Sequence, residues 1–163
     1  MKAYLDTNVV SAIARDDIPQ ESAAVETLLR ASEQGRVELL TSRVSEEEIA
    51  RYSGSGRVVL DRVYRLMRRV AYVETSTLLG FHSYGDRYTW ISTPLMEDDP
   101  TWTRLKAIGL DDKDAHHVMV AIKSSCDLFL TCDGGILHHH SQIEKEFGIR
   151  LLRPSELVAQ DGW

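Results

Sequence analysis

The sequence predicts an α/β fold built around a parallel β-sheet. Short apolar runs typical of strands alternate along the chain with longer segments of helical periodicity. One run, Leu128-Phe129-Leu130, is apolar at every position, as expected of a strand buried on both faces of a parallel sheet. Because strands and helices alternate, we expect parallel strands joined by right-handed crossovers.

The size and composition of the chain describe a single globular domain. It has 163 residues, of which 43% are hydrophobic and 27% are charged, values that are ordinary for a soluble protein. We therefore expect one domain over residues 1–163, with an irregular or partly helical insertion at about 74–110. No apolar run reaches the roughly 20 residues of a membrane span, and the N-terminus lacks the pattern of a signal peptide. The expected location is the cytoplasm, without a membrane partner.

The first half of the chain contains three predicted strands. In order, the predicted elements are a strand at 2–5, a helix at 9–14, a helix at 21–34, a strand at 37–41, a helix beginning at Ser45, a helix whose apolar stripe runs from Val59 to Val70, and a strand at 71–73. Apolar residues at helical spacing indicate the helix at 21–34, and Gly35 directly after it fits a C-cap.

The second half contains two further strands. The predicted elements are a helix at 114–124, a strand at 127–131, a short helical region and a strand at 150–152 closed by Pro154. The helix at 114–124 follows from its apolar face, formed by Ala115, Val118, Met119 and Ile122.

Four acidic residues lie where predicted strands give way to helices: Asp6, Glu48, Asp114 and Asp133. The carboxyl ends of parallel strands line one crevice of an open α/β sheet, where ligands bind. Carboxylates gathered there repel one another and lose hydration, so a hard divalent cation such as Mg²⁺ or Mn²⁺ is their expected partner. The four positions therefore predict metal-assisted phosphodiester chemistry.

Asp6 and Glu48 each have an explanation that needs no metal. Asp6 belongs to an Asp-Thr-Asn sequence suited to a turn or an N-cap. Ser45 and Glu48 have the spacing of a capping box, and the neighbouring acids at 46 and 47 leave the choice of glutamate open.

Asp114 and Asp133 have similar alternatives. Asp114 would lie in the first turn of its helix, where the positive end of the dipole favours a carboxylate, and Asp111 and Asp112 are competing caps. Asp133 precedes two glycines and suits a turn. The joint placement of the four acids, rather than any one of them, is what predicts a site.

Taken together, these segments resemble the PIN-domain nucleases. The resemblance is carried by Asp6-Thr7-Asn8 after an apolar strand, Ser45-x-x-Glu48, Asp114-Ala115-x-His117-x-x-x-Ala121 and Thr131-x-Asp133. The motifs follow the family's order and span nearly the whole chain. The best-known members of the family are toxins of bacterial and archaeal toxin–antitoxin pairs. The segment from 74 to 109 is longer here than in the smallest toxin-type members.

The resemblance implies a three-layer α/β/α sandwich and an endoribonuclease that depends on Mg²⁺ or Mn²⁺. Its catalytic residues and metal ligands would be Asp6, Glu48, Asp114 and Asp133, with Asn8 and Thr131 supporting the site. Its partners would be an RNA substrate, an antitoxin protein and a second copy in a homodimer. Attack by metal-activated water predicts 5′-phosphate and 3′-hydroxyl ends.

A basic segment is separate from the acidic positions. Residues 51–69 contain six arginines and one aspartate in a chain of net charge −6. Candidates for holding RNA phosphates are Arg57, Arg62, Arg65 and Arg69. A solvated helix face and a surface for docking a partner protein remain open alternatives.

The histidines are expected to have surface or packing roles. His138, His139 and His140 are consecutive, as are His116 and His117, and consecutive side chains point in different directions, which makes a shared metal site unfavourable. His117 follows Asp114 by one helical turn and could touch it.

Two functions of other classes are alternatives. An aspartyl-phosphate phosphotransferase would also have an Asp after the first strand, but it usually has a second Asp at the position occupied here by Asn8. A catalytically silent module with a nuclease-like fold could bind RNA or protein without cutting. Metal-dependent cleavage distinguishes the enzyme from the binding module.

Overall fold

The structure, a computed structural model, describes residues 1–15, 18–42, 71–73 and 99–163, with side chains for all of these except 12–15 and 71–73. The described strands are β1 (Lys2–Leu5), β2 (Glu38–Ser42), β3 (Ala71–Val73), β4 (Leu128–Leu130) and β5 (Arg150–Leu152). The described helices are α1 (Thr7–Arg15), α2 (Pro19–Glu33), α3 (Pro100–Ile108), α4 (Asp112–Lys123), α5 (Gly134–His138), α6 (His140–Phe147) and α7 (Pro154–Asp161).

The described strands form one parallel sheet in the order β3-β2-β1-β4-β5. The chain builds outward from β1 to β2 and β3, and then crosses back to place β4 and β5 on the other side of β1. The strand order therefore reverses between β1 and β4. Such a reversal opens a crevice at the carboxyl ends of the two strands.

Two apolar cores cover the two faces of the sheet, because successive strand residues point to opposite sides. Tyr4, Leu40, Phe129 and Leu151 form one row across neighbouring strands and pack against α4 and α6. The other face packs against α2 and α7 and includes the following strand residues: Ala3, Leu5, Leu39, Leu128 and Leu130. The architecture is the predicted α/β/α sandwich around a parallel sheet.

Most described elements match the predicted ones within one or two residues, and β3 and β5 match at both ends. The helices predicted after Ser45 and along Val59 to Val70 lie outside the described residues. Within the predicted insertion at 74–110, the structure describes α3, which has Asp99 as its N-cap and Gly109 as a left-handed C-cap at φ 109°. The assignment of that segment as an insertion stays a prediction.

Helix α7 corrects the expectation that Pro154 only closes a strand. Pro154 instead occupies the first position of the helix, where its missing N–H and fixed φ are favourable. The buried Glu21 carboxylate on α2 accepts hydrogen bonds from the N–H and hydroxyl of Ser155, at 3.0 and 2.6 Å. This contact fixes the start of α7 against α2.

No helix among the described residues is both long enough and apolar enough to cross a membrane.

Candidate active site

The candidate site lies where the strand order reverses. Asp6 directly follows β1, and residues 131–133 directly follow β4. The Asp6 N–H donates to the Leu130 carbonyl at 3.0 Å, so pairing of the two strands continues up to the site. Asp6 and Thr131 are thus brought together although 125 residues separate them in the sequence.

The carboxylate of Asp6 is buried and held by two side chains. Its Oδ2 accepts hydrogen bonds from Asn8 Nδ2 and from Thr131 Oγ1, both at 2.7 Å, while the residue is 4% exposed. These bonds offset the cost of burying a charged group. Asn8 and Thr131, the two positions predicted to support the site, therefore both contact Asp6.

Asn8 also ties the turn after β1 to the turn after β4. Its Nδ2 donates to Thr131 Oγ1 at 2.9 Å, and its Oδ1 accepts from the Cys132 N–H at 2.9 Å. Thr131 Oγ1 in turn accepts from the Asp133 N–H at 3.0 Å. The side-chain amide of Asn8 and the hydroxyl of Thr131 thereby hold together the backbone on the two sides of the crevice.

Thr131→Val is expected to lower the free energy of unfolding by about 1–3 kcal/mol, because it removes the hydroxyl that accepts from the Asp133 N–H and that donates to the buried Asp6 carboxylate. Thr131→Ser, which retains the hydroxyl, is the matched control and is expected to lose less. Denaturant unfolding monitored by circular dichroism measures both. A larger loss in Thr131→Ser than in Thr131→Val would show that methyl packing, not the hydroxyl, matters at this position.

Asp114 lies in the first turn of α4 but does not cap it. Asp111 is the N-cap, and its Oδ1 accepts from the Asp114 N–H at 2.9 Å. Burial raises the pKa of Asp114 to about 6, and the negative charges of Asp111, Asp133 and Asp6 add to this increase, whereas His117 opposes it. Asp114 therefore lies close enough to Asp6 and Asp133 for their charges to act on its pKa.

Asp133 has the turn role that its sequence context allows. It is the N-cap of α5, and its Oδ1 accepts from the Gly135 N–H at 2.6 Å. Its charge nevertheless acts on Asp114 across the crevice. The cap is therefore compatible with a place in the acidic site.

The acidic residues fit a hard divalent cation by their donor chemistry. Mg²⁺ and Mn²⁺ prefer carboxylate oxygens, and the repulsion expressed in the Asp114 pKa is what such a cation would relieve. In the part of the chain that the structure describes, no group of three or more His, Cys, Asp or Glu side chains is arranged to hold a metal ion. Glu48 lies outside the described residues, as do the arginine candidates Arg57, Arg62, Arg65 and Arg69.

A buried polar chain near the acids was not predicted from the sequence. Tyr4 Oη lies 2.6 Å from Ser42 Oγ and 3.0 Å from His117 Nδ1, and His117 Nε2 lies 3.4 Å from Thr7 Oγ1. His117 is 2% exposed, so it has a buried role rather than a surface one. The sequence signals for His117 are its position one turn after Asp114 and its place in the motif Asp114-Ala115-x-His117-x-x-x-Ala121.

Comparison with known proteins gives a structural match. No family model matches the chain, and no curated protein does. The structure is similar to a chain in the crystal structure of VapBC2 from Rickettsia felis bound to a DNA fragment from their promoter, with a TM-score of 0.60 and 15% sequence identity. The match covers 94% of this chain and 98% of that chain. The chain therefore has a PIN-like α/β/α fold.

Proposed function

We propose that the chain is a metal-dependent endoribonuclease that hydrolyses RNA phosphodiester bonds, using Asp6, Glu48, Asp114 and Asp133 as catalytic residues and metal ligands. The observation that carries this proposal is that Thr131 links Asp6 to the Asp133 backbone where the strand order reverses, while the charges of both acids act on Asp114. That point is where open α/β sheets bind their ligands. Carboxylates concentrated there favour a Mg²⁺ or Mn²⁺ cofactor.

The acidic residues of the site would have different roles in metal binding. Asp6 is held in one orientation by Asn8 and Thr131 before any ligand arrives, so little reorganisation would accompany binding. Asp114 and Asp133 would approach the same cation from α4 and from the start of α5. When bound, the cation would supply Lewis-acid activation of water and would stabilise charge developing on the phosphate. This chemistry needs no 2′-hydroxyl and leaves 5′-phosphate and 3′-hydroxyl ends.

We further propose that the protein is the cytoplasmic toxin of a toxin–antitoxin pair. The similar structure is that of VapBC2 bound to promoter DNA, which supports an antitoxin protein as a partner. An RNA substrate and a homodimer complete the proposed set of partners. The arginines at 57, 62, 65 and 69 would hold the RNA backbone.

Cleavage of a panel of single-stranded and structured RNAs tests the proposed activity. The wild-type protein would be compared with Mg²⁺, with Mn²⁺ and with EDTA, and the product ends would be identified by their sensitivity to a 5′-phosphate-dependent exonuclease. We expect cutting only with the cations and 5′-phosphate products. Cutting that persists in EDTA, or products with cyclic phosphates, would contradict the proposed chemistry. RNA binding without any cutting would favour the silent module.

Metal binding alone is expected to stabilise the fold. A ligand at about 100 times its Kd stabilises the folded state by about 2.7 kcal/mol, which corresponds to a Tm increase of roughly 5–10 °C for a domain of this size. Differential scanning calorimetry with and without Mn²⁺ measures the shift. Asp112→Asn is the control, since Asp112 pairs with Lys106 on the surface at 2.8 Å and should leave the shift unchanged. A wild-type Tm that does not respond to Mn²⁺ would contradict a metal site.

A further inference from the structure

The buried chain of Ser42, Tyr4, His117 and Thr7, called here the polar brace, connects four elements of the fold. Ser42 ends β2, Tyr4 lies in β1, His117 lies in α4 and Thr7 begins α1. All four residues are buried. The Tyr4 ring is fixed further by stacking on Phe129 of β4, with 5.5 Å between ring centroids and 10° between ring planes.

Each member of the polar brace is close in sequence to a predicted metal ligand. Tyr4 and Thr7 lie on either side of Asp6, and His117 follows Asp114 by one helical turn. Ser42 is the last residue of β2, six positions before Glu48. The brace therefore joins the elements that adjoin or carry two of the four predicted ligands, Asp6 and Asp114.

The apolar contacts around α4 would not fix this arrangement by themselves. Val118, Met119 and Val120 are completely buried on that helix, but apolar burial is non-directional and tolerates small rotations and shifts. A hydrogen bond, by contrast, weakens steeply when its angle departs from linearity. The contact between His117 Nδ1 and Tyr4 Oη thus sets the rotation and height of α4 over β1, and with them the position of Asp114 relative to Asp6.

We propose that the polar brace positions Asp114 against Asp6 for metal binding, which makes Tyr4 and His117 positioning residues of the site. The inference rests on the proposed function, because it assumes that these carboxylates share a cation. A brace that only stabilises the fold is the competing explanation.

Two substitutions of His117 separate the explanations. The amide of His117→Asn reaches the position of Nδ1 and can keep the bond to Tyr4, whereas the longer His117→Gln places its amide near the position of Nε2. Tyr4→Phe removes the shared hydroxyl. Val120→Ala is the matched control, because it destabilises the same helix by deleting apolar atoms without touching the brace.

The Kd for Mn²⁺ is measured by isothermal titration calorimetry on the full chain without RNA. The free energy of unfolding in EDTA is measured for the same variants. Substituting a partner of a metal ligand typically weakens metal affinity about 10–100-fold. Because His117 acts through the helix rather than on the carboxylate itself, we expect a loss of about 10-fold for Tyr4→Phe and His117→Gln. His117→Asn should retain affinity within about 3-fold, and Val120→Ala should bind as the wild type does.

The outcomes distinguish this inference from the proposed function. If Tyr4→Phe and His117→Gln bind Mn²⁺ with wild-type affinity, the positioning role is overturned. It is also overturned if Val120→Ala, at the same loss of stability, loses as much Mn²⁺ affinity as they do. A wild-type protein that binds no Mn²⁺ would overturn the metal site and the positioning role together. If the expected pattern of affinities appears and the wild type cuts no RNA, the polar brace stands and the ribonuclease assignment fails.

Discussion

Asp6→Asn is expected to abolish RNA cleavage while leaving the protein folded. The amide oxygen can occupy the position of Oδ2 and accept the same hydrogen bonds from Asn8 and Thr131. The charge that would hold a cation is lost, however. Because even the partners of metal ligands typically contribute 10–100-fold to activity, we expect a decrease of more than about 100-fold.

Asp133→Asn extends the same prediction to the other side of the crevice. Asn is as good an N-cap as Asp, so α5 should keep its capped first turn while the site loses a charge. Asp127→Asn is the matched control: Asp127 precedes β4 at the opposite end of the sheet, and its Oδ2 accepts from the Lys2 N–H at 2.8 Å. Initial cleavage rates and circular dichroism spectra check the set. More than a tenth of wild-type activity in either site variant would refute its assignment as a ligand.

Asp114→Asn is expected to abolish cleavage and, unlike the other variants, to stabilise the metal-free protein at neutral pH. The folded protein holds the Asp114 proton more tightly than the unfolded chain does, with a pKa of about 6 against 3.8. The stability of the wild type that depends on this group is therefore fully present below about pH 4 and is lost as the pH rises through about 6. The amide cannot ionise and avoids that loss.

The size of the effect follows from the partial exposure of Asp114. After allowance for screening by solvent, we expect a gain on the order of 1 kcal/mol, or roughly 2–4 °C in Tm. Thermal unfolding in EDTA from pH 4 to pH 8 should show the difference between Asp114→Asn and wild type growing up to about pH 6 and then remaining constant. A difference that is independent of pH would contradict the raised pKa. Higher stability with lower activity is the pattern expected of a functional residue.

The parallel sheet could be predicted because its strands are encoded locally. Leu128 to Leu130 is apolar throughout, and β3 and β5 were placed at their observed residues. Pro154 alone does not predict helix α7, because a proline can close a strand and can also occupy the first position of a helix when the following residues continue it. The anchor of α7, the contact of Ser155 with Glu21, spans 134 positions and leaves no local signal.

The candidate site could be predicted only in part, because contacts between residues distant in the sequence leave no local signal. The sequence could place Asp6, Asn8, Thr131 and Asp133 at strand ends, because short polar motifs follow apolar runs there. It left three acids competing at the start of α4, and only the structure shows that Asp111 takes the cap and leaves Asp114 beside the other charges. Tyr4 and Ser42 resemble ordinary strand residues, so their contacts with His117 depend on three-dimensional packing.

The pairing of β1 with β4 also determines when the candidate site can form during synthesis. Asp6 leaves the ribosome early, but its partners Thr131 and Asp133 follow about 125 residues later, a delay of roughly 6–25 s at 5–20 residues per second. A nascent chain that ends before β4 contains Asp6 but lacks Thr131 and Asp133, which lie on the other side of the crevice. A translation product that ends before β4 would therefore lack the assembled candidate site.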